Sequence, residues 1–185
     1  MDKETFIRHY CANYQILENK VLESSEYVSI EGTNYGTYSS NFIILFLSIC
    51  SEIDSIAGEY CKIISKSNDN IMGMINKIDT ILSKQPNLRH KRVVTIPPFE
   101  EQSFVPFQKL EKQNSSWWTD YNNIKHNRTG VDEASGRYNY QKGTLKNVIN
   151  ALASLYILIF LIGKEYGFDE NNPPITSRFF AKQIL

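Results

Sequence analysis

Cysteine and histidine are scarce in this chain of 185 residues, which contains only three of each. Cys11, Cys50 and Cys61 lie far apart, so the Cys-x-x-Cys spacing of zinc sites is missing, and an odd number does not close a disulfide framework. Each cysteine lies beside apolar residues in a segment with helical periodicity. We therefore expect buried free thiols, and we expect no metal ion and no other cofactor.

An excess of charge of either sign is also missing, because 20 lysines and arginines balance 20 aspartates and glutamates. No global positive field is available to attract a nucleic acid, so any contact with RNA has to depend on a local basic patch. Two runs are candidates for such a patch, at 89–92 and 125–128. The first run is more typical of a solvated loop than of a binding surface.

The chain also lacks the apolar core of a secretion signal, because its first residues are charged. The uncharged run at 147–163 is at the lower limit of the roughly 17–25 residues that a membrane helix needs. Its polar side chains Asn147, Asn150 and Ser154 lie on one side. We interpret the run as a buried helix, and we expect a cytoplasmic protein without membrane contact.

Helical periodicity dominates the rest of the pattern. No strand–helix alternation and no glycine-rich strand-to-helix turn is present, which excludes a nucleotide-binding fold with a parallel sheet. We therefore predict one all-α domain over residues 1–185, a helical bundle of about five helices. Apolar residues recur at spacings of three and four in five segments, at about 3–22, 40–65, 69–83, 116–127 and 144–166.

Three segments outside the helices have other patterns. Residues 27–38 place β-forming residues on both sides of a Gly/Asn-rich turn, which predicts a small β-hairpin or an ordered loop. A long loop with short extended pieces is expected at 85–105. Residues 173–185 begin with two prolines, and we predict a C-terminal tail without regular structure.

The segment 117–128 combines both tryptophans of the chain with groups that bind phosphate or move a proton. On a helix, Trp117, Tyr121 and Ile124 share one face, which we assign to the core, with Tyr121 supporting the neighbouring polar residues. The adjoining stripe holds four residues whose chemistry suits a site, namely Trp118, Asn122, Lys125 and His126.

The polar residues of this segment suit proton transfer and anion binding. A histidine near its ordinary pKa of about 6.5 exchanges a proton at neutral pH. Lys125 and Arg128 supply charge for a phosphate or a developing oxyanion. Arg128 lies roughly 200° around a helix from His126, so both point to one place only if the helix ends between them. A purely structural role stays open, because cations also suit the C-terminal end of a helix.

The second predicted helix contains two carboxylates that are candidate partners for Lys125, His126 and Arg128. Glu52 and Asp54 lie among small residues, which allow another helix to approach closely. We expect the helix of His126 to pack there, so that one of the carboxylates orients His126 or pairs with Lys125 or Arg128. A structural ion pair elsewhere is the alternative.

The pattern Trp117-Trp118-x-x-Tyr121-Asn122-x-x-Lys125-His126-x-Arg128, followed by a long apolar helix that begins near Thr144, resembles bacterial proteins of the HEPN superfamily. The resemblance covers about residues 41–164. HEPN proteins are small helical bundles that commonly form homodimers. Many are metal-independent RNases of toxin–antitoxin and other defence systems, and others are inactive scaffolds or binding modules.

The resemblance implies roles for individual residues. His126 would act as general base on a ribose 2′-OH, Lys125 and Arg128 would hold the phosphate, and Asn122 would orient the histidine or the substrate. Active members carry an arginine shortly before the histidine, whereas here the nearest arginine follows it.

The sequence therefore leaves three alternative functions open. They are an RNase or RNA-binding protein of bacterial defence, a non-catalytic dimerisation or protein-interaction module, and a small-molecule pocket under the loop of Tyr35 and Tyr38.

Overall fold

The computed structural model describes residues 1–65, 73–108, 110, 116–133 and 135–182 and confirms the all-α class. Five helices are present in this part of the chain. Helix α1 is continuous but changes pitch, with a π-helical turn in its first half. The bounds are Lys3–Phe6, Ile7–Cys11 (π) and Ala12–Ser24 for α1, Ser40–Ser65 for α2, Met74–Lys84 for α3, Trp117–His126 for α4 and Leu145–Glu165 for α5.

Side-chain caps explain where three of the helices begin. The hydroxyl of Ser39 accepts a hydrogen bond from the Phe42 amide at 3.0 Å before α2. Ser116 accepts from the Thr119 amide at 3.4 Å before α4, and Thr144 caps α5. Each hydroxyl satisfies an amide that has no partner inside its helix. The predicted start of the third helix, near residue 69, lies outside the described residues.

Helix α5 is the centre of the core, and α2, α1 and α4 pack against it. Both α2 and α5 are long and apolar enough to cross a membrane by length and composition alone. In α5, 83% of the most apolar stretch is buried inside the protein, as is usual for the core helix of a bundle. The polar residue Ser154 is accommodated there by donating to the carbonyl of Asn150 at 2.9 Å.

Two small antiparallel sheets lie outside the bundle. Strand β1 (Val93–Val94) pairs with β2 (Ser103–Phe104), which agrees with the extended pieces predicted there. Strand β3 (Val131–Asp132) pairs with β4 (Arg137–Tyr138) in a segment where the sequence indicated only a loop. Strands of two residues are too short to show a period, which is why the second sheet was not predicted.

The segment 27–38 adopts the ordered loop, with a 3₁₀ turn at Gly32–Asn34, and not the hairpin. The loop is tied to the start of α5. The Leu145 amide donates to the Thr37 carbonyl at 2.9 Å, and the Lys146 amide donates to the Tyr35 carbonyl at 3.1 Å. These bonds satisfy the first amides of α5 and bring Tyr35 and Tyr38 beside it.

The described part of the C-terminal tail lacks helix and strand, as predicted, but it belongs to the core. Ile175, Phe179 and Phe180 are buried. The tail also pairs with β1, because the Ala181 amide donates to the Val94 carbonyl at 2.8 Å. Its two phenylalanines pack on Phe99 and on Tyr156 of α5.

Candidate functional site

Helix α4 is anchored by the aromatic stripe that the sequence predicted for the core. Trp117, Tyr121 and Ile124 are buried. Phe46 of α2 packs edge-on against both rings, with centroids 6.5 Å from Trp117 and 6.2 Å from Tyr121. The indole Nε1 of Trp117 donates to the Pro106 carbonyl at 2.9 Å. These contacts fix the rotation of α4 and therefore the direction of its other face.

Along the adjoining stripe, the exposure of the side chains increases toward the C-terminal end of α4. Trp118 and Asn122 are half-buried, while Lys125 and His126 are exposed. The ammonium of Lys125 lies 5.4 Å from the centroid of the Tyr121 ring, within the range of a cation–π contact. Tyr121 thus both anchors the helix and holds Lys125 near it.

Helix α4 ends at His126, so the helical geometry that would turn Arg128 away from His126 does not apply. Asn127 has φ −147° and ψ 56°, outside the helical region. Arg128 is exposed, and its carbonyl accepts from the Tyr140 amide at 3.0 Å. The side chain of Asn139 donates to the Asn127 carbonyl at 2.8 Å. The chain that leaves α4 is therefore held against the 3₁₀ turn Asn139–Lys142.

Lys125, His126 and Arg128 follow one another closely at the end of α4, and we call them the cationic cluster after the lysine and the arginine. Among the described residues, no carboxylate forms an ion pair with any of them. The carbonyl end of a helix attracts cations, which explains why they are tolerated there. Their charges remain available to an anion from solution.

The carboxylates of α2 do not serve this cluster, so the expected contact with His126, Lys125 or Arg128 is wrong, while the alternative of a structural ion pair elsewhere is confirmed for Asp54. Asp54 forms an ion pair with Lys77 of α3 at 2.8 Å. Glu52 accepts a hydrogen bond from the side chain of Asn13 of α1 at 3.3 Å. The small residue Gly58 makes room for the stem of Lys77 and not for α4. Helix α4 does pack on α2, but through Phe46, on a different face.

Tyr38 of the expected pocket loop forms a group of rings with Tyr138 and Tyr140, two residues that the sequence did not indicate. The rings of Tyr138 and Tyr140 are stacked at 5.5 Å with an interplanar angle of 13°, and the ring of Tyr38 lies 6.1 Å from that of Tyr140. Tyr38 and Tyr138 are 44% and 47% exposed. We call these three residues the tyrosine stack. The bond between Tyr140 and Arg128 connects the stack to the end of α4.

A cleft of about 1120 Å³ lies beside the other end of α4. It runs between the Tyr35 loop, the N-terminal turns of α4 and α5, and the β3–β4 hairpin. Tyr35 lines it, which agrees in position with the pocket expected under this loop. The other lining residues include cations, carboxylates and amides that the sequence reasoning did not select.

A polar network crosses this cleft. Lys142 lies between two carboxylates, 2.7 Å from Asp132 and 3.7 Å from Asp120. Asp120 also accepts from the side chain of Asn147 at 2.8 Å. Burial raises the pKa of Asp120, while the hydrogen bond from Lys142 lowers the pKa of Asp132 to about 2. The two carboxylates therefore differ in their affinity for protons.

The chain is thus a small helical bundle with two polar surfaces, the cationic cluster with its tyrosine stack and the cleft. No family model, curated protein or solved structure matches it. Within the described residues, no group of three or more His, Cys, Asp or Glu side chains is placed to hold a metal ion. Function therefore has to be inferred from the side chains of these two surfaces.

Proposed function

We propose that this protein is a HEPN-like bacterial RNase that binds single-stranded RNA at the end of α4 and cleaves it without a metal ion. The observation that carries the proposal is the cationic cluster, which pairs with no described carboxylate and is connected through the bond between Arg128 and Tyr140 to the partly exposed tyrosine stack. Cations beside stacking rings are the combination with which proteins hold single-stranded nucleic acid. The proposal includes a cytoplasmic homodimer acting in a defence or toxin–antitoxin system.

Binding is divided between the two parts of the surface. Arg128 and Lys125 contact phosphates, and a base stacks on the exposed ring of Tyr138. Stacking of this kind contributes roughly 1–3 kcal/mol per base and tolerates any sequence. Because the formal net charge of the chain is zero, affinity depends on these few contacts and falls as salt is added.

Cleavage uses the histidine as general base. His126 takes the proton of a ribose 2′-OH, and the 2′ oxygen attacks the neighbouring phosphorus. The bond from phosphorus to the 5′ oxygen breaks, and that oxygen takes a proton from water. The products are a 2′,3′-cyclic phosphate and a free 5′-OH. Arg128 stabilises the extra negative charge, and Asn122, one turn before His126, orients the imidazole.

In the proposed homodimer, the second chain supplies the arginine that each histidine lacks within its own chain. Active HEPN proteins carry an arginine before the histidine, and here that position holds other residues. A two-fold axis beside α4 brings Arg128 of one chain toward His126 of the other. The exposed position of both residues at the end of the helix leaves room for such an approach.

The test is cleavage of a single-stranded RNA in EDTA. His126→Ala should abolish cleavage and leave the thermal unfolding midpoint unchanged, because the side chain is exposed. His90→Ala is the matched control, since His90 is also exposed and lies in the other basic run. Cleavage that survives in the His126 variant, or that requires a divalent metal ion, would contradict the mechanism.

A non-catalytic dimerisation or protein-interaction module is the second candidate. Val131 and Tyr138 favour it, because they lie directly opposite each other in the β3–β4 hairpin, are 53% and 47% exposed, and would be covered by a contacting protein. This function predicts no RNA binding at about 150 mM salt. Salt-sensitive RNA binding that Arg128→Ala weakens would exclude it in favour of the RNase.

A further inference from the structure

Asn139 is a buried polar residue in the 3₁₀ turn that holds the chain leaving α4. It is 5% exposed, whereas its neighbour Tyr138 is 47% exposed. A buried side-chain amide needs hydrogen-bond partners, because burying it without them costs free energy. The side-chain nitrogen of Asn139 has such a partner, since it donates to the Asn127 carbonyl at 2.8 Å, twelve positions earlier in the chain.

Three consecutive peptide groups lead from the end of α4 past Arg128, and a hydrogen bond holds each of them. The Asn127 amide donates to the Asn123 carbonyl at 3.0 Å, which fixes the first group to the helix. The side chain of Asn139 holds the second group through the Asn127 carbonyl. The Tyr140 amide holds the third group through the Arg128 carbonyl at 3.0 Å. The path of the chain is thus fixed on both sides of Arg128.

The direction of the Arg128 side chain follows from these bonds. Peptide groups are planar, so the backbone at one residue has two soft dihedral angles, which relate the peptide group before it to the one after it. Because both neighbouring groups are held, both angles of Arg128 are set, and they decide where its side chain leaves the backbone. A backbone amide holds one of these groups, and the side chain of Asn139 holds the other.

The backbone bonds of this segment do not depend on which residue stands at position 139. The Gly130 amide donates to the Asn127 carbonyl at 3.0 Å, but this bond only closes a turn within the segment and moves with it. The Asn139 amide donates to the Gly130 carbonyl at 2.8 Å, a bond that any residue except proline can make. The bond from the Asn139 side chain needs a donor of this length. Replacing Asn139 therefore releases the peptide group before Arg128.

We propose that Asn139 is a positioning residue that directs Arg128 toward a phosphate of the RNA bound at the end of α4. This role depends on the proposed function, because it requires that Arg128 contacts RNA. Asn139 is buried and uncharged, so it acts through the backbone of Arg128 and not on the RNA itself. Exchanging it for another neutral residue should therefore remove a charged contact with RNA while the charge of the protein stays the same.

The experiment measures how RNA affinity depends on salt. The probe is a short single-stranded RNA with 2′-O-methyl riboses, which resists cleavage, and fluorescence anisotropy gives its Kd between about 50 and 200 mM KCl. For single strands, each phosphate contact contributes about 0.7 to the slope of log Kd against log salt concentration. Arg128→Ala should lower the slope by about 0.7 and raise the Kd at least about fivefold at the lowest salt. Asn139→Ala should do the same, although it removes no charge.

The matched control is Asn150→Ala on α5. The half-buried side chain of Asn150 also donates to a backbone carbonyl, that of Lys146 at 2.9 Å, and it lines the cleft, where no residue of the cationic cluster lies. This variant should leave the slope and the Kd unchanged. The double variant Arg128→Ala/Asn139→Ala should bind RNA as Arg128→Ala does, because Asn139 acts through a side chain that is then missing.

Asn139→Ser is a second variant, whose hydroxyl is shorter than the amide and leaves a smaller cavity than alanine does. It should show the same reduced slope, and urea denaturation checks that each variant is folded. An unchanged slope in a folded Asn139 variant, when Arg128→Ala lowers it, would overturn the role of Asn139 and leave the proposed function standing. Further weakening in the double variant would also overturn this role. A wild-type chain that does not bind the RNA would overturn both.

Discussion

At the scale of single residues, Glu18 is the clearest case of a polar group on which the packing depends. Its carboxylate is 2% exposed and accepts hydrogen bonds from Tyr14 at 2.8 Å, from the Arg178 amide at 3.1 Å and from the hydroxyl of Ser177. Burial raises the pKa of Tyr14, so its hydroxyl stays protonated and donates. Glu18 thus ties the C-terminal tail to α1.

Removing this carboxylate should loosen the tail. Glu18→Ala leaves buried donors without an acceptor, at a penalty of about 1–3 kcal/mol for each, and we expect the free energy of unfolding to fall by about 3 kcal/mol. Urea denaturation measures the loss. Glu23→Ala on the same helix is the control, because Glu23 is exposed and should change stability by less than about 0.5 kcal/mol. Equal midpoints for the two variants would contradict this role of Glu18.

Residues of the candidate site differ in how far the sequence could identify them. The residues of the cationic cluster could be named because they are close in sequence, and the helix fixes the relative directions of Lys125 and His126. Tyr38 joins Tyr140 from about a hundred positions away, and Lys142 reaches Asp120 across a chain reversal. Such contacts depend on tertiary packing, so neither the tyrosine stack nor the cleft network has a local signal. The same reason explains why the sequence did not identify Lys77 as the ion-pair partner of Asp54.

At the scale of elements, the starts of α2, α4 and α5 could be predicted closely, because capping residues and apolar periodicity agree there. The β3–β4 hairpin could not, since its strands have two residues each. The packing of the tail into the core could not be predicted either, because Phe179 and Phe180 belong to no periodic pattern that would indicate which surface they contact.

The cap of α5 can be tested because the hydroxyl of Thr144 accepts from the Asn147 amide at 3.3 Å. Thr144→Ala should lower the free energy of unfolding by about 1 kcal/mol, since it leaves an amide of the first turn without a partner. Thr144→Ser keeps the oxygen and should recover most of the loss in the same urea titration. If the serine variant is as unstable as the alanine variant, the methyl group and not the cap supplies the stability.

At the scale of the whole molecule, the carboxylates of the cleft should make the free energy of unfolding depend on pH in acid. The pKa of Asp132 is lowered to about 2, chiefly by the hydrogen bond from Lys142, while an unfolded aspartate titrates near about 3.9. A depressed pKa gives stability that is present above the unfolded pKa and is lost as pH falls from about 4 to about 2. Asp120 acts in the opposite sense, because burial raises its pKa and favours its protonated form in the folded state.

Asp132→Asn should therefore be less stable than the wild-type chain at neutral pH but lose less stability between about pH 4 and pH 2. Urea denaturation across that range measures the slope. Glu133→Gln is the control, because Glu133 is an exposed neighbour outside the network. A slope that is the same in Asp132→Asn and in the wild-type chain would mean that the ion pair with Lys142 does not control acid stability.

The proposed homodimer can be tested with two inactive variants, because a site shared between chains needs His126 from one and Arg128 from the other. His126→Ala and Arg128→Ala should each be inactive alone. Mixed after reversible dissociation, they should form heterodimers with one complete site, and random pairing should restore about one quarter of the wild-type cleavage rate. Native mass spectrometry of the mixture, which separates the heterodimer from both homodimers by mass, controls for subunit exchange. If the mixture of the two inactive variants stays inactive while exchange occurs, His126 and Arg128 act within one chain, and the second chain contributes nothing to the phosphate.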